Sequence, residues 1–189
     1  MEYELNTHLK EELSADEQLL WHAQPNPNIL FTPLDFFLVP FSLFWTSTVV
    51  YFFVSSLLKG FSFFALPFLS FFLLMGFYIT IGRFLNKRSL KKKTLYALTN
   101  KRVIEISIGR LIRKKSLSYS QIKNINCNIR RNKNGSITFG NGSLSKMFTG
   151  FYANSGMDIF IAGNASREPA LYDINNADVP ASIIKKYIK

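Results

Sequence analysis

Read along the chain, the apolar positions follow three different periods. Phe36–Leu58 is a run of 23 residues without a formal charge, and Phe61–Gly82 is a second of 22, with Lys59-Gly60 between them. The first run holds 14 residues drawn from Phe, Leu, Ile and Val, and the second holds 13. At a rise of ~1.5 Å per residue each helix reaches roughly 33 Å, matching a hydrocarbon core of about 30 Å. At roughly −0.3 to −0.6 kcal/mol apiece, these side chains favour insertion by about 4 to 8 kcal/mol per segment before Ser, Thr, Gly and Pro are counted. Two buried helices of a soluble core are the alternative. Such helices are usually shorter, and a 189-residue globule lacks the volume to wrap two Phe-rich rods on every side. Pro40 falls in the first turn or so, where a missing N–H costs little, and Pro67 is expected to kink the second helix.

After Lys93 the period changes to two. Thr94–Thr99 alternates, Asn100-Lys101 supplies a turn, and Arg102–Ile108 alternates again, which predicts a β-hairpin. Further strands are expected at Leu111–Leu117, Ile122–Ile129, Ser136–Phe139 and Met157–Ala162, with an irregular bend within Ser116–Ile122. Asn134-Gly135 is the strongest turn signal. Ala177–Ile188 returns to helical spacing, with Asp178 as candidate N-cap and Pro180 in the first turn. Ahead of the apolar block, Leu9–Leu20 reads as a short helix containing a capping-box candidate, Ser14 to Glu17. The two prolines of Trp21–Pro27 then make an extended, stiff run. Trp21 suits either an interfacial anchor or packing on the downstream domain.

These periods divide the chain into an N-terminal segment with a short helix (1–35), a two-helix hairpin (36–82), a basic juxtamembrane linker (83–93) and a β domain with a C-terminal helix (94–189). Charge sharpens the division. Residues 1–35 carry seven acids and one base, whereas residues 83–189 carry 21 bases and five acids, within an overall net charge of +11. Arg83, Lys87, Arg88, Lys91, Lys92 and Lys93 follow the second run directly, while residues 20–35 contain no Lys or Arg. Two spans put both termini on one side, and this bias makes that side the cytoplasm. The start lacks a basic n-region, so no cleaved signal is expected. The external surface reduces to Lys59-Gly60, too small to sense or catalyse anything.

Some of these residues carry a resemblance. Tyr96–Ile104 resembles the first-hairpin signature of bacterial pleckstrin-homology (PH) domains. Glu17–Pro25 is similar to the opening of their membrane-anchored members, as is a two-helix block between these stretches. Leu171–Ile174 with the helix after it looks like the family's closing helix. The Asn/Gly/Ser-rich stretch 129–154 departs from the pattern. The resemblance implies an α+β membrane protein: a transmembrane α-helical hairpin plus a PH-like, seven-stranded, bent antiparallel β-sheet or partial barrel, capped by a C-terminal helix, at the inner (cytoplasmic) membrane. It does not imply phosphoinositide binding.

Catalytic chemistry is not expected. There is no Gly-x-Gly-x-x-Gly and no phosphate-loop lysine motif. His8 and His22 precede the apolar block, and Cys127 is the single cysteine, so neither a zinc set nor a Cys–His nucleophile is spelled out. Asp158, Glu168 and Asp173 are too scattered to read as a carboxylate pair. No cofactor or metal is expected. Arg83, Lys87, Arg88, Lys91, Lys92 and Lys93 are candidates for anionic-lipid contact, each worth ~1 kcal/mol near an anionic leaflet. Arg110, Arg113, Lys114, Lys115, Arg130, Arg131 and Lys133 form an anion site only if they converge on one rim. The expected function is a non-enzymatic membrane-anchored binding or scaffolding module that uses the bilayer and a protein partner or homo-oligomer, with anionic headgroups as the alternative ligand. Nucleic acid is disfavoured, because aromatics are not interleaved with the basic clusters.

Overall fold

A computed structural model describes residues 2–32, 34–59, 65–109, 112–140, 154, 156 and 168–188. The expected strand at Met157–Ala162, Arg110 and the turn at Gly60 lie outside them. Among the described residues the chain is α+β, with two antiparallel sheets. The first has the order β1 (Leu19–Ala23), β2 (Thr94–Thr99), β3 (Arg102–Ile108), β4 (Ile112–Ser118). The second has β5 (Ile125–Ile129), β6 (Gly135–Phe139), β7 (Leu171–Ile174).

The β2–β3 hairpin forms where alternation places it, with Leu98 opposite Val103 and Leu95 opposite Ile106. Both of its faces are covered. Leu95, Ala97, Ile104 and Ile106 meet Leu5 and Leu9, one turn apart on α1 (Glu2–Glu12). Tyr96, Leu98, Val103 and Leu117 meet Ile137, Leu171 and Ile174 of the second sheet, and Ala181 and Ile184 of α5 (Asp178–Tyr187). A 3₁₀ turn at Tyr119–Gln121, boxed by Ser118 and Gln121, fulfils the expected bend. Burial, followed by the charge of Tyr187, pushes the Tyr119 phenol up to about 12, and its hydroxyl donates to Thr99 O.

Several expectations need correction. The N-terminal helix ends at Glu12, and Leu19–Ala23 is a strand paired with β2, Ala23 opposite Tyr96. Pairing with β1 satisfies the otherwise free edge of β2, and Trp21 packs on the core. Ser14 and Glu17 close a turn: Glu17 N donates to Ser14 O at 2.9 Å. The apolar hairpin is therefore inserted between two adjacent strands, and α1 and β1 both pack with the sheet that follows it. At the other end Ala177, not Asp178, caps α5, without a side-chain bond. Gly135 opens β6, after a turn in which Lys133 takes the left-handed φ of 61°. Its lack of a Cβ matters for proximity, since an added one would lie 2.5 Å from Asn128 O.

The two apolar stretches form α2 (Asp35–Lys59) and α3 (Ala65–Phe77), the latter running through a π turn at Tyr78–Gly82 into α4 (Arg83–Lys92). Two helices, Asp35–Lys59 and Pro67–Lys92, are long and apolar enough to cross a membrane, and only 11% and 17% of their most apolar stretches is buried in the protein. Small and polar residues share the helix contact with the Trp45 and Phe72 rings, whose centroids lie 5.8 Å apart. Ser42 and Val49 are buried, Thr46 and Thr80 share a hydrogen bond of 3.1 Å, and a Cβ on Gly76 would lie 2.8 Å from Thr46 Oγ1. Phe36, Phe44 and Phe68 point outward. That arrangement is how helices associate in lipid. Pro67 sits in the first turn of α3, and the irregularity of this rod falls at the π turn.

Candidate functional site at the root of the second apolar helix

The segment expected to be a basic linker is helical, and only Lys93 separates α4 from β2. Helical spacing puts Arg83, Lys87 and Lys91 in one row, four residues apart, and all three are buried. The row faces the protein and not outward. Arg83 NH1 binds Asp35 Oδ1, and its Nε donates to Ile79 O at 2.7 Å. Asp35 Oδ2 also accepts from Thr32 Oγ1 at 2.7 Å, which ties the start of α2 to the incoming chain. Lys87 Nζ donates to Leu30 O at 2.6 Å. Lys91 Nζ binds Asp173 Oδ2 at 2.6 Å, Asn26 O at 3.3 Å and Ile29 O. The row thus staples the segment before α2, the root of α4 and strand β7 together. A buried charge is tolerable only when paired and hydrogen-bonded, which Lys91 achieves and Arg83 achieves through NH1 and Nε, its NH2 having no hydrogen-bond partner among the described residues.

Asp173 takes a left-handed φ of 50°, a conformation that Asp and Asn accept more readily than bulkier residues. Its Oδ2 also accepts from Asn154 Nδ2 at 2.5 Å. Gly156 (φ 81°) lies against α4. Its carbonyl accepts from Tyr78 Oη and Asn86 Nδ2, both at 3.0 Å, and a Cβ there would stand 2.2 Å from Arg83 O.

Beside this row, α4, β2, β3, β4 and β7 line an open-sided cavity of about 120 Å³. Lys87, Lys91, Arg113, Lys115, Glu105 and Glu168 supply its charged lining. Tyr96 lines it as a neutral phenol, since burial and then the charge of Glu105 push its pKa well above the usual value.

The remaining candidates do not converge. Arg88 and Lys92 are exposed on the outer face of α4, and Lys93 is half-buried. Lys114 pairs with Glu12 at 3.2 Å and Lys115 with Glu105 at 3.7 Å. Arg130, Arg131 and Lys133 are exposed on the β5–β6 turn of the other sheet, with Lys133 3.8 Å from Asp178. The sequence singled out neither Asp35 nor, beyond setting it aside as half of a carboxylate pair, Asp173, the acids that pair with Arg83 and Lys91. Asp35 did carry a signal: it is the acid that abuts the first apolar run, as Arg83 abuts the second. Among the described residues no group of three His, Cys, Asp or Glu is placed to hold a metal.

The fold defines a class no narrower than an α+β chain with two antiparallel sheets and two apolar helices suited to a membrane. No family model, no curated protein and no solved structure matches this chain.

Proposed function

We propose that this chain is a non-enzymatic, membrane-anchored binding or scaffolding module. A PH-like β domain is held at the cytoplasmic face of the inner membrane and engages a protein partner or a second copy of the chain. The observation that carries this reading is the direct path from the apolar rods into the domain. The second rod enters α4 without a break, and Arg83–Asp35 and Lys91–Asp173 fix that root on both sides. Both chain ends support the two-span topology, because α1 and α5 each pack on the β domain. The bases at this root favour the cytoplasmic side. Two antiparallel sheets with a C-terminal helix packed on their shared core fit the PH-like expectation.

Sedimentation of the full chain in mild detergent tests the proposal, alone across a concentration series and with cytosolic extract from the source cells. Self-association, or a stoichiometric complex that withstands washing, is expected. A chain that stays monomeric and retains nothing would overturn it.

Arg88, Lys92 and Lys93 favour a second reading, anionic-headgroup contact, since Arg88 and Lys92 are the juxtamembrane bases turned fully outward. Three bases at ~1 kcal/mol each draw the domain toward an anionic surface. The test uses the full chain in nanodiscs, because a fragment starting near Leu95 would lack β1 and α1. Equal domain-to-bilayer distances in neutral and anionic discs would end this reading.

A further inference from the structure

The inward row of α4 has three cations, but the described residues give it two carboxylates. Arg83 takes Asp35 and Lys91 takes Asp173. Lys87, between them and 3% exposed, has one carbonyl partner and, among the described residues, no carboxylate within 4.0 Å. An ammonium so enclosed is costly without a counter-charge. It lines the 120 Å³ cavity, which has room for roughly ten waters and therefore for a tetrahedral oxyanion.

The rest of the lining points the same way. Strand register sets Ser107 opposite Arg113 and Glu105 opposite Lys115. Glu105 is already engaged, by Lys115 and by Ala170 N at 3.1 Å, and Glu168 also has a partner. Arg113 is exposed and has no partner among the described residues. A guanidinium offers the paired donors that a phosphate accepts.

We propose that this cavity binds a phosphate group, with Lys87 as its buried cation, Arg113 as the cation at its mouth and the Ser107 hydroxyl as a neutral donor. The inference needs only the cavity and stands apart from the scaffold reading. Lys87 lies five residues beyond Gly82, about 7.5 Å along the helix, within reach of a headgroup phosphate as well as a soluble one.

The test uses the full chain in neutral-lipid nanodiscs, titrated with inorganic phosphate by calorimetry. In parallel, thermal unfolding is compared between neutral discs and discs containing phosphatidic acid, without free phosphate. Saturable binding or an upward shift in Tm is expected in at least one arm. A response to free phosphate identifies a soluble ligand, and a response to phosphatidic acid alone identifies a headgroup. Arg113→Ala, a change at an exposed position, should weaken the response at least about tenfold. Lys87→Met should abolish it, and Arg113→Ala, which breaks no contact among the described residues, keeps the test readable if loss of the Lys87–Leu30 bond lowers that variant's stability. No response in either arm, or an undiminished response in both variants, overturns the proposal.

Discussion

The apolar hairpin and the β domain use similar side chains turned opposite ways. In the domain, Leu98, Val103, Ile104, Ile137, Leu171 and Ile184 are fully buried. In the hairpin, Phe36, Phe44 and Leu58 are 79%, 73% and 81% exposed, while Ser42 is buried. Water drives the first arrangement, because each buried apolar side chain leaves it. In hydrocarbon nothing comparable would pull two apolar helices together, and α2 and α3 touch through Gly76 against Thr46, the Thr46–Thr80 hydrogen bond and the Trp45–Phe72 rings. The root of α4 belongs to neither pattern. There the interior is ionic, and charge pairing replaces apolar burial as the fixing force.

The largest expected effect is at that root. Asp173→Asn keeps the left-handed backbone but removes the charge facing Lys91, whose side chain is 6% exposed. Leaving the ammonium buried and unpaired should destabilise the domain by about 3–5 kcal/mol. Adding Lys91→Met should restore most of that loss, and denaturant unfolding in detergent measures both. A single variant as stable as the parent would show that the pair does not fix the root.

Next comes a direct contrast of the two apolar surfaces. Ile137→Ala should cost about 2–5 kcal/mol, because it opens a cavity between the sheets. Phe44→Ala removes a larger side chain but leaves only lipid or detergent to fill in, and should change stability by no more than about 0.5 kcal/mol. Equal losses in thermal unfolding of the two variants in lipid would mean that Phe44 is packed against protein.

That contrast also explains how much of the molecule was legible in the sequence. Period alone located the apolar rods, the β2–β3 hairpin and α5, because each has continuous burial or a single dominant face. It read Leu19 and Leu20 as helix and Trp21–Ala23 only as an extended run, because the pairing that makes Leu19–Ala23 a strand comes from the edge of β2 more than 70 residues away. At the root, Arg83 to Lys93 read as one basic juxtamembrane linker facing lipid headgroups. Its split into an inward row and an outward pair depends on the helix continuing past Gly82 and on two acids, Asp35 and Asp173, far apart in the chain. Composition can register an excess of bases but not which way each one turns.

Within the hairpin, Gly76→Val tests whether small-residue contact holds the rods. A Cβ at Gly76 would lie 2.8 Å from Thr46 Oγ1, so the two helices must separate or shift. A cost of about 1–3 kcal/mol is expected. A spin-label distance between the helices in nanodiscs should lengthen, and an unchanged distance would locate the contact elsewhere.

A small effect at neutral pH is expected where the N-terminal segment joins the sheet. The Glu17 carboxylate accepts from Arg102 Nε and NH2, both at 2.8 Å, and from Thr99 Oγ1 at 3.2 Å. The Arg102 bonds hold its pKa down to about 2, against an ordinary 4.5. A carboxyl depressed on folding stabilises the native state fully above its unfolded pKa and loses that contribution as pH falls through the folded one. The docking of β1 should therefore hold at pH 5, weaken between about 4.5 and 2, and be lost below that range. Glu17→Gln should cost about 1 kcal/mol at pH 7, because the amide oxygen still accepts from Arg102. The variant should also flatten the fall in stability across that acid window, measured by unfolding at a series of pH values. Parent and variant curves that stay parallel down to pH 2 would mean that the Glu17–Arg102 contact contributes nothing to holding β1 in place.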